Sequence, residues 1–417
     1  MKTKDIKKHK LEILAPAGNL EKMKMAFAFG ADAVYFGVPN FSLRVRINQF
    51  DEEAILKAAE YCKGKGKKFY VTLNIYAHNK HIKELPKHLE FVKKVSPDAI
   101  IISDPGILMV VKRELPGIPI HISTQANVTN VEAVKFWQLQ GVERIILARE
   151  VTLEEIREIK KEVPDMELEY FVHGAMCMSY SGRCILSKWM TNRSANLGDC
   201  SQPCRWKYKN STKVIEVTDD KDRFSIDLEE DKHGTYFFNS FDICLIEHID
   251  DLIETGVDSI KIEGRAKSTF YVGVVSRAYR KVVDAYFNGN EEYKKEVISN
   301  KKELLKLANR GYGKGFLLGN DPDHLFESPA ISATWEFAGI CEDGESGDVR
   351  KVFVHNSLSK KDYVEIVTPG DIMHVKILEI KNKKKEKIES AHGGQDEFFD
   401  VKFNKNIEGL FLLRTKI

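Results

Sequence analysis

The sequence lacks the long hydrophobic runs that membrane spans and secretory signals require. No segment approaches the roughly 18 uninterrupted apolar residues that suggest a transmembrane helix. The basic N-terminus, MKTKDIKKHK, is not followed by the apolar region of a signal peptide. We therefore expect a cytoplasmic protein that does not associate with membranes, in a compartment where thiols stay reduced.

A large excess of charge of either sign is also absent. The 417 residues include 64 lysines and arginines and 62 aspartates and glutamates, which gives a formal net charge of +2. This balance excludes a histone-like positive field but is compatible with local basic patches. With 43% hydrophobic and 30% charged residues, the chain has the composition of an ordinary globular protein and the length for one large and one smaller domain.

Several catalytic motifs are missing. The sequence contains no HExxH zinc-protease motif, no GxSxG nucleophile elbow, no Walker phosphate loop and no GxGxxG dinucleotide fingerprint. The enzyme classes that depend on these motifs are therefore not expected.

Cysteine is scarce, but its distribution is uneven. Four of the 7 cysteines fall within 28 residues, at Cys177, Cys184, Cys200 and Cys204. Six, fifteen and three residues separate them in turn. In a reducing compartment this clustering indicates metal binding or redox chemistry rather than disulfide bonds.

Four thiolates suit either a tetrahedral zinc ion or a 4Fe–4S cluster. Structural zinc sites usually use two closely spaced pairs, and the gap between Cys177 and Cys184 is wide for such a pair, so the spacing favours the iron–sulfur cluster. Unligated thiols in a long loop are the remaining alternative. Cys62, Cys244 and Cys341 are expected in the core, although Cys244 lies near enough to the cluster to be a reserve ligand.

Eight short, nearly continuous apolar runs alternate with amphipathic segments up to about residue 270. They cover residues 11–17, 33–37, 69–74, 99–103, 120–124, 144–148, 167–174 and 259–264. Continuous hydrophobicity is typical of parallel strands that are covered on both faces. Eight β–α units predict a (β/α)8, TIM-like barrel over residues 11–290. A doubly wound open sheet remains the alternative, because periodicity does not distinguish the two.

The remaining segments have a different character. The seventh and eighth runs are separated by far more residues than one crossover helix needs, which predicts a metal-binding insertion at about 174–235. Residues 1–10 form a basic tail, and 291–333 read as a helical linker. Short strand-like runs with Gly, Asp and Asn turns predict a small all-β, barrel-like domain over 334–417, with KNKKKEK (381–387) as a basic hairpin tip.

Candidate catalytic residues follow the last two barrel strands, because parallel α/β folds place chemistry at the carboxyl ends of their strands. His173 is a candidate acid–base group or, alternatively, a histidine that supports the neighbouring loop. Lys261, Glu263 and Arg265 alternate with apolar residues, so we expect them on one face with a ligand or with one another.

Candidate binding residues follow other strands and surround the cysteines. Arg44 and Arg46 share a face after the second strand and suit a dicarboxylate or phosphate, with a salt-bridge network as the alternative. Asn74 and Gln125 stand at strand ends. Basic residues near the cysteines would stabilise an anionic cluster, bind substrate, or simply be solvated; they are Arg183, Lys188, Arg193, Arg205 and Lys207.

Four long segments carry a family resemblance. LAPAGNLEKMKMAFAFGADAVYFG, FSLRVRINQF, FVHGAMCMSYSGRC and SIKIEGRAKS resemble, in the same order, motifs of the collagenase-like peptidase family U32. The likeness extends from about residue 10 to the C-terminus. LRVR and CSQPCRW are most similar to the branch of that family that modifies tRNA.

The resemblance implies a specific chemistry. It implies prephenate-dependent hydroxylation of the wobble uridine of tRNA to 5-hydroxyuridine, with a 4Fe–4S cluster held by Cys177, Cys184, Cys200 and Cys204. On this reading tRNA is the partner and prephenate the co-substrate. The carboxylates of prephenate would bind Arg44, Arg46 and Arg265. Further substrate contacts would come from Asn74, Gln125 and Arg183. The catalytic groups would be His173, Glu263 and Lys261.

Two other functions stay open. The family name suggests a peptidase, although no residue pattern supports proteolysis. A cluster-bearing scaffold that partners a second protein of the same family is the non-enzymatic alternative.

Overall fold

The computed structural model describes most of the chain, in segments. These are residues 11–39, 41–42, 50–177, 179–197, 199–206, 215–218, 225–228, 240–319, 333–342, 344–360, 363–394 and 398–417. The described residues divide into two compact units. The first holds those up to 266, except 24–31, together with 309–319. The second holds 24–31, 267–308 and those from 333 onward.

The first unit contains twelve strands among its described residues. They are β1 (Glu12–Pro16), β2 (Ala33–Gly37), β3 (Lys68–Leu73), β4 (Ala99–Ile102), β5 (Ile120–Ile122), β6 (Arg144–Ile146), β7 (Glu167–Ala175), β8 (Ile215–Thr218), β9 (Ser225–Leu228), β10 (Asp242–Cys244), β11 (Ser259–Ile262) and β12 (Tyr312–Gly313). Strands β1 to β7 and β11 coincide with the eight predicted apolar runs.

These eight strands form a closed parallel barrel. Each pairs in parallel with the next, from β11 through β1 to β7. The additional parallel pairing of β7 with β11 completes the ring. The predicted TIM-like barrel is therefore confirmed, and closure excludes the doubly wound open sheet. Strand burial explains the sequence pattern, since β1, β2, β4, β5, β6 and β11 are buried at every position.

Ten α-helices lie within the described residues, and side chains cap the start of several of them. They are α1 (Leu20–Ala28), α2 (Glu52–Gly64), α3 (Asn79–Val95), α4 (Pro105–Glu114), α5 (Val131–Leu139), α6 (Leu153–Glu162), α7 (Leu186–Thr191), α8 (Ile249–Thr255), α9 (Thr269–Asn288) and α10 (Asn290–Leu304). Asp51, Asp104 and Asn130 accept hydrogen bonds from the first-turn amides of α2, α4 and α5. Thr152 and Glu155 form a capping box at α6.

A long excursion separates β7 from β11. It contains α7, the antiparallel pair β8–β9, then β10 and α8. β10 pairs antiparallel with the end of β7 and parallel with β12. Arg310 binds Asp242 of β10 through Nε at 3.0 Å. The chain therefore leaves the barrel at the carboxyl end of β7, and β10 lies along that same end.

Charged side chains fill part of the barrel interior. Arg144 Nη1 lies 2.5 Å from Glu12 Oε1 and 3.2 Å from Glu169 Oε2. Glu169 Oε1 lies 2.7 Å from Lys261 Nζ. All four residues are buried, Glu169 completely. These acids and bases from β1, β6, β7 and β11 thus pair with one another, as buried charges must, and Arg144 Nη2 also lies 2.7 Å from the exposed Glu167.

The second unit combines two helices with an all-β domain. Its strands are β13 (Trp335–Cys341), β14 (Ser346–Val354), β15 (Ser357–Ser359), β16 (Tyr363–Val367), β17 (Ile372–Lys381), β18 (Lys387–Ile388), β19 (Ser390–His392), β20 (Phe398–Glu408) and β21 (Phe411–Lys416). The antiparallel order β16-β21-β13-β14-β20-β17 closes through the pairing of β16 with β17. The predicted C-terminal all-β domain is therefore confirmed. Residues 382–386 turn between β17 and β18, where the basic hairpin tip was predicted.

Helices α9 and α10 group with this β domain, whereas the sequence suggested boundaries at 290 and 334. Arg277 of α9 donates to the carbonyl oxygens of Thr368 and Gly370, both at 2.9 Å. Arg414, fully buried, donates to Glu365 at 2.7 Å and to Glu303 of α10 at 2.5 Å. Long-range ion pairs of this kind have no local pattern in the sequence. Across the described ranges, no helix has the length and apolarity needed to cross a bilayer.

The buried charges predict a stability effect. Glu169→Gln keeps the shape of the side chain but removes the carboxylate that pairs with the buried Lys261. We expect the free energy of unfolding to fall by about 3–5 kcal/mol, measured by urea denaturation. The control Glu132→Gln changes an exposed ion pair with Lys135 and should leave the denaturation curve unchanged. Equal effects of the two substitutions would contradict the buried network.

Candidate active site

A cavity of about 170 Å³ opens at the carboxyl ends of the barrel strands. Strand-end residues line its floor and walls, and the excursion after β7 lines its mouth. The polar lining from the strand ends comprises Asn74, Ser123, Gln125, Arg149, Lys261, Glu263 and Arg265. Ile101, Ile146 and Phe171 supply an apolar wall. One enclosed space therefore combines ionisable, amide and apolar surfaces, which is the make-up of a small-molecule or nucleobase site.

All four clustered cysteines line this same cavity. Cys177 follows β7 and is exposed, whereas Cys184, Cys200 and Cys204 are half-buried. None is in a disulfide. The backbone N–H of Gln202 donates to Cys200 Sγ at 3.4 Å, a contact that stabilises a thiolate. The four cysteines that lie close together in the sequence therefore also lie around one cavity, at the barrel mouth.

Side-chain hydroxyls hold the two cysteine segments together. Ser187, on α7 after Cys184, and Ser201, after Cys200, share a hydrogen bond of 2.9 Å. The Ser201 amide also donates to Ser187 Oγ at 2.9 Å, and Thr191 Oγ1 lies 2.9 Å from Ser201 Oγ. Asn196 donates to the carbonyl oxygen of Cys184 at 3.3 Å. The positions of the cysteines are thus set by neighbouring polar residues as well as by the backbone.

A glycine lets the excursion close onto the barrel. Gly182 has φ +75°, and a Cβ there would lie 2.1 Å from the carbonyl oxygen of Gln125. Tyr76 OH donates to that same Gln125 oxygen at 3.0 Å and also binds the Gly182 carbonyl. Glu150 accepts from the Ser181 amide at 2.7 Å. Only glycine allows this approach, which brings Cys177 and Cys184 over the strand ends.

The four cysteines are the residues able to hold a metal group here. Among the described residues, no three His, Cys, Asp or Glu side chains converge as ligands of a single ion would. Four free thiols line one cavity, and a 4Fe–4S cluster takes one thiolate for each of its iron atoms. The donor set therefore fits an iron–sulfur cluster.

Lys261, Glu263 and Arg265 all reach the cavity, as their alternation predicts. Lys261 Nζ lies 4.3 Å from the Tyr35 ring centroid, and its charge is compensated by Glu169. Burial lowers the pKa of Lys261, while the neighbouring Glu169 carboxylate opposes that shift. The Arg265 guanidinium lies 5.8 Å from the Tyr35 ring, and Nη1 donates to Thr72 at 3.4 Å. Glu263 Oε2 accepts from the Ala175 amide at 3.5 Å.

Asn74 and Gln125 also line the cavity. Asn74 Nδ2 donates to Ser123 Oγ at 3.4 Å. The catalytic candidate His173 lies elsewhere. It is buried, it does not line the cavity, and its ring centroid is 5.3 Å from that of Tyr312. This placement favours the alternative of a histidine that supports the loop.

The basic candidates are dispersed. Arg44, Arg46 and Lys207 lie outside the described residues, as does the side chain of Arg205. Arg183 and Lys188 are exposed, and Lys188 Nζ lies 2.5 Å from Asn192 Oδ1. Arg193 pairs with Asp199 at 2.8 Å. Of the five basic residues near the cysteines, none lines the described part of the cavity.

Sequence reasoning missed some lining residues. Arg149 follows β6, and its guanidinium carbon lies 3.9 Å from the centroid of the Phe171 ring. Tyr35, Ser123 and Ser181 also line the cavity. The strand-end rule identifies Arg149 as a position worth testing, whereas Tyr35 and Ser181 have no distinguishing pattern.

Comparison with known proteins identifies the family. The model of peptidase family U32 matches residues 18–326, and that of its C-terminal domain matches residues 333–414. The chain belongs to peptidase family U32. The resemblance drawn from the sequence motifs is thereby confirmed.

Curated U32 relatives carry different names. The chain is 39% identical to "tRNA hydroxylation protein P" of Haemophilus influenzae, over 98% of this chain and 97% of that protein. It is 41% identical to "tRNA hydroxylation protein P1" of Bacillus subtilis, over 86% and 84%. It is also 35% identical to a "Collagenase" of Porphyromonas gingivalis, over 74% and 73%. The family is thus certain, while its members are named for two different activities.

Cysteine environment predicts a pattern of chemical labelling. Burial raises the pKa of the Cys62 thiol to about 12, so Cys62 stays protonated at about pH 8. Cys244 and Cys341 are buried as well. In chelator-treated, native protein, iodoacetamide should therefore modify the four cavity cysteines and spare these three, as peptide mass spectrometry would reveal. Labelling of Cys62 at the same rate as Cys200 would contradict this arrangement.

Proposed function

We propose that this protein is a tRNA-modifying enzyme that converts the wobble uridine to 5-hydroxyuridine with prephenate as co-substrate and an iron–sulfur cluster at the barrel mouth. The observation that carries the proposal is the convergence of all four clustered cysteines on the cavity that the strand-end polar residues line. Two U32 relatives that match most of the chain are named for tRNA hydroxylation, which supports the choice of substrate.

Cys177, Cys184, Cys200 and Cys204 would hold the 4Fe–4S cluster. When bound, such a cluster supplies a site for one-electron transfer next to the substrate. The Gln202 amide, which donates to Cys200, would stabilise the thiolate and tune the cluster. Tyr180 and Leu186, which line the same cavity, would limit the access of water from the mouth.

The strand-end residues would bind and orient the pyrimidine. Asn74 and Gln125 carry amide groups, which pair with the alternating acceptors and donor on the edge of uracil. Glu263 is the carboxylate that lines the cavity and the group we assign to proton transfer. Lys261, which forms an ion pair with Glu169, would contribute to the electrostatic potential in the cavity rather than exchange protons. Arg265 would bind a carboxylate of the co-substrate.

Exposed aromatic residues on the cysteine-bearing excursion support an RNA substrate. Tyr180, Trp189 and Trp206 are 65%, 79% and 40% exposed, unusually open for aromatic residues. All three lie on the cysteine-bearing excursion, with the exposed Arg183 and Lys188 between them in the chain. Single-stranded RNA loops are recognised by stacking of their bases on aromatic rings, together with cationic contacts to phosphate. The basic hairpin tip KNKKKEK (381–387) would make a second contact to tRNA phosphate.

The exposed aromatic residues of the excursion predict that RNA affinity falls when one of their rings is removed. Trp189→Ala should weaken binding of the substrate tRNA by about 1–3 kcal/mol, roughly 5- to 150-fold in Kd, because one stacking surface is removed. Trp189→Phe should retain most of the affinity. Phe136→Ala, which removes an exposed ring from α5, is the control. Filter binding or fluorescence anisotropy would measure all three, and a Trp189→Ala protein with unchanged Kd would contradict the assignment.

Complementation tests the function itself. Cells that lack their own tRNA uridine hydroxylase would receive wild-type protein, Cys184→Ala or Cys62→Ala, and their tRNA nucleosides would be quantified by mass spectrometry. We expect 5-hydroxyuridine with wild type and with Cys62→Ala, whose side chain lies outside the cavity, and none with Cys184→Ala. Full modification by Cys184→Ala would refute the proposed role of the cysteines.

Peptidase activity remains the second candidate because a relative is named "Collagenase". A cysteine or serine peptidase needs a nucleophile next to a base, usually histidine. No histidine lines the cavity within the described residues. Gelatin turnover by purified protein that survives removal of iron would favour this candidate. Co-purification of a second U32 protein, with no activity of this chain alone, would favour the scaffold alternative.

A further inference from the structure

Arg149 occupies an unusual position in the cavity. Its guanidinium carbon, Cζ, lies over the Phe171 ring, 3.9 Å from the ring centroid. The backbone is fixed on both sides, since the Arg149 amide donates to Ser181 Oγ at 3.4 Å and the carbonyl accepts from Tyr170 OH at 3.3 Å. The backbone of Arg149 is therefore fixed, and its guanidinium packs against the Phe171 ring.

The charge of Arg149 is uncompensated among the described residues. No carboxylate lies within ion-pair distance of it there, and its buried Nε has no hydrogen-bond partner. Lys261, in contrast, has Glu169 at 2.7 Å. A buried donor without a partner is unfavourable unless a ligand supplies the acceptor.

Two further buried polar atoms in the same cavity lack partners within the described part of the chain. They are Thr124 Oγ1 and Gln125 Oε1, and Thr124 as a whole is only 8% exposed. The Thr124 hydroxyl can donate to an anion beside a guanidinium. Arg149 Nε, Thr124 Oγ1 and Gln125 Oε1 thus each lack a partner among the described residues, and all three residues line the cavity that a polar ligand would enter.

We propose that Arg149, with Thr124, binds the carboxylate of a small organic acid inside the cavity; this inference rests on the proposed function, in which that acid is the co-substrate. A guanidinium presents two parallel N–H donors that match a carboxylate. The apolar side chains of Phe171, Ile101 and Ile146 line the same space and suit the hydrocarbon body of such an acid. A phosphate of RNA is the other anion to consider, but a nucleic acid that inserts one base leaves its phosphates outside the pocket.

Binding measurements on the cluster-loaded protein test this assignment. The probes are prephenate, inorganic phosphate and substrate tRNA, measured by calorimetry or anisotropy. Arg149→Gln should weaken prephenate binding by about tenfold or more, and Arg149→Lys should fall between, because it keeps the charge but loses the paired donors. The Kd for tRNA should change less than about twofold in both. Arg113→Gln, on the exposed surface of α4, is the charge-matched control.

The outcomes distinguish a failure of the Arg149 site from a failure of the proposed function. Unchanged prephenate affinity in Arg149→Gln and Arg149→Lys would overturn the Arg149 site while leaving the proposed function intact. Weakened tRNA binding, or wild-type binding of phosphate as tight as that of prephenate, would overturn it in favour of an RNA phosphate. Failure of the wild-type protein to bind prephenate would overturn the co-substrate and with it this inference. Should Arg149→Gln not fold, the Arg149→Lys measurement decides alone.

Discussion

The buried ion pair of Glu169 and Lys261 is the constraint on which the rest of the site depends. It joins β7 to β11, the two strands whose pairing closes the barrel. Arg144 and Glu12 extend it across the barrel interior, and Arg144 also pairs with the exposed Glu167. Because Glu169 compensates Lys261, the positive charge available to a ligand at the mouth comes from other residues. The ion pairs below the cavity therefore join the strands that close the barrel, and they also compensate a charge that would otherwise face the ligand.

The excursion after β7 converts this barrel end into a specialised site. It leaves the strand at Ala175, and its first cysteine follows two residues later. Gly182 allows the excursion to approach the backbone of Gln125, and the Tyr76 hydroxyl donates a hydrogen bond to the Gln125 carbonyl oxygen. Four thiols, an apolar wall and several strand-end polar groups then share one space. Neither the barrel nor the excursion alone would provide that combination.

Much of the fold follows from the sequence because local physics encodes it. Parallel barrel strands are buried on both faces, so their apolar runs are continuous, and capping residues such as Asp104 and Thr152 mark where helices begin. Closure between β7 and β11 is a long-range event, so no local pattern could separate the barrel from an open sheet. The clustering of the cysteines likewise predicted a shared site, since ligands close in the chain are easily brought together.

Other features could not be predicted. Period two along β7 would place His173 on the same face as Phe171, but the pairing with β11 shifts register between Lys261 and Ile262, and His173 lies beside Tyr312. Whether a carboxylate lies within ion-pair distance of Arg149 is a property of the tertiary structure, and within the described ranges none does. The contacts of Arg414 with Glu365 and Glu303 likewise depend on the tertiary structure.

The central claim is that Cys177, Cys184, Cys200 and Cys204 hold an iron–sulfur cluster where the substrate binds. The most direct test is to measure iron and acid-labile sulfide, with an absorption spectrum, on protein purified without air. The account predicts about four of each per chain, lost when Cys200 is replaced by alanine and retained when Cys62 is. One zinc per chain, or iron that survives the Cys200 substitution, would contradict it.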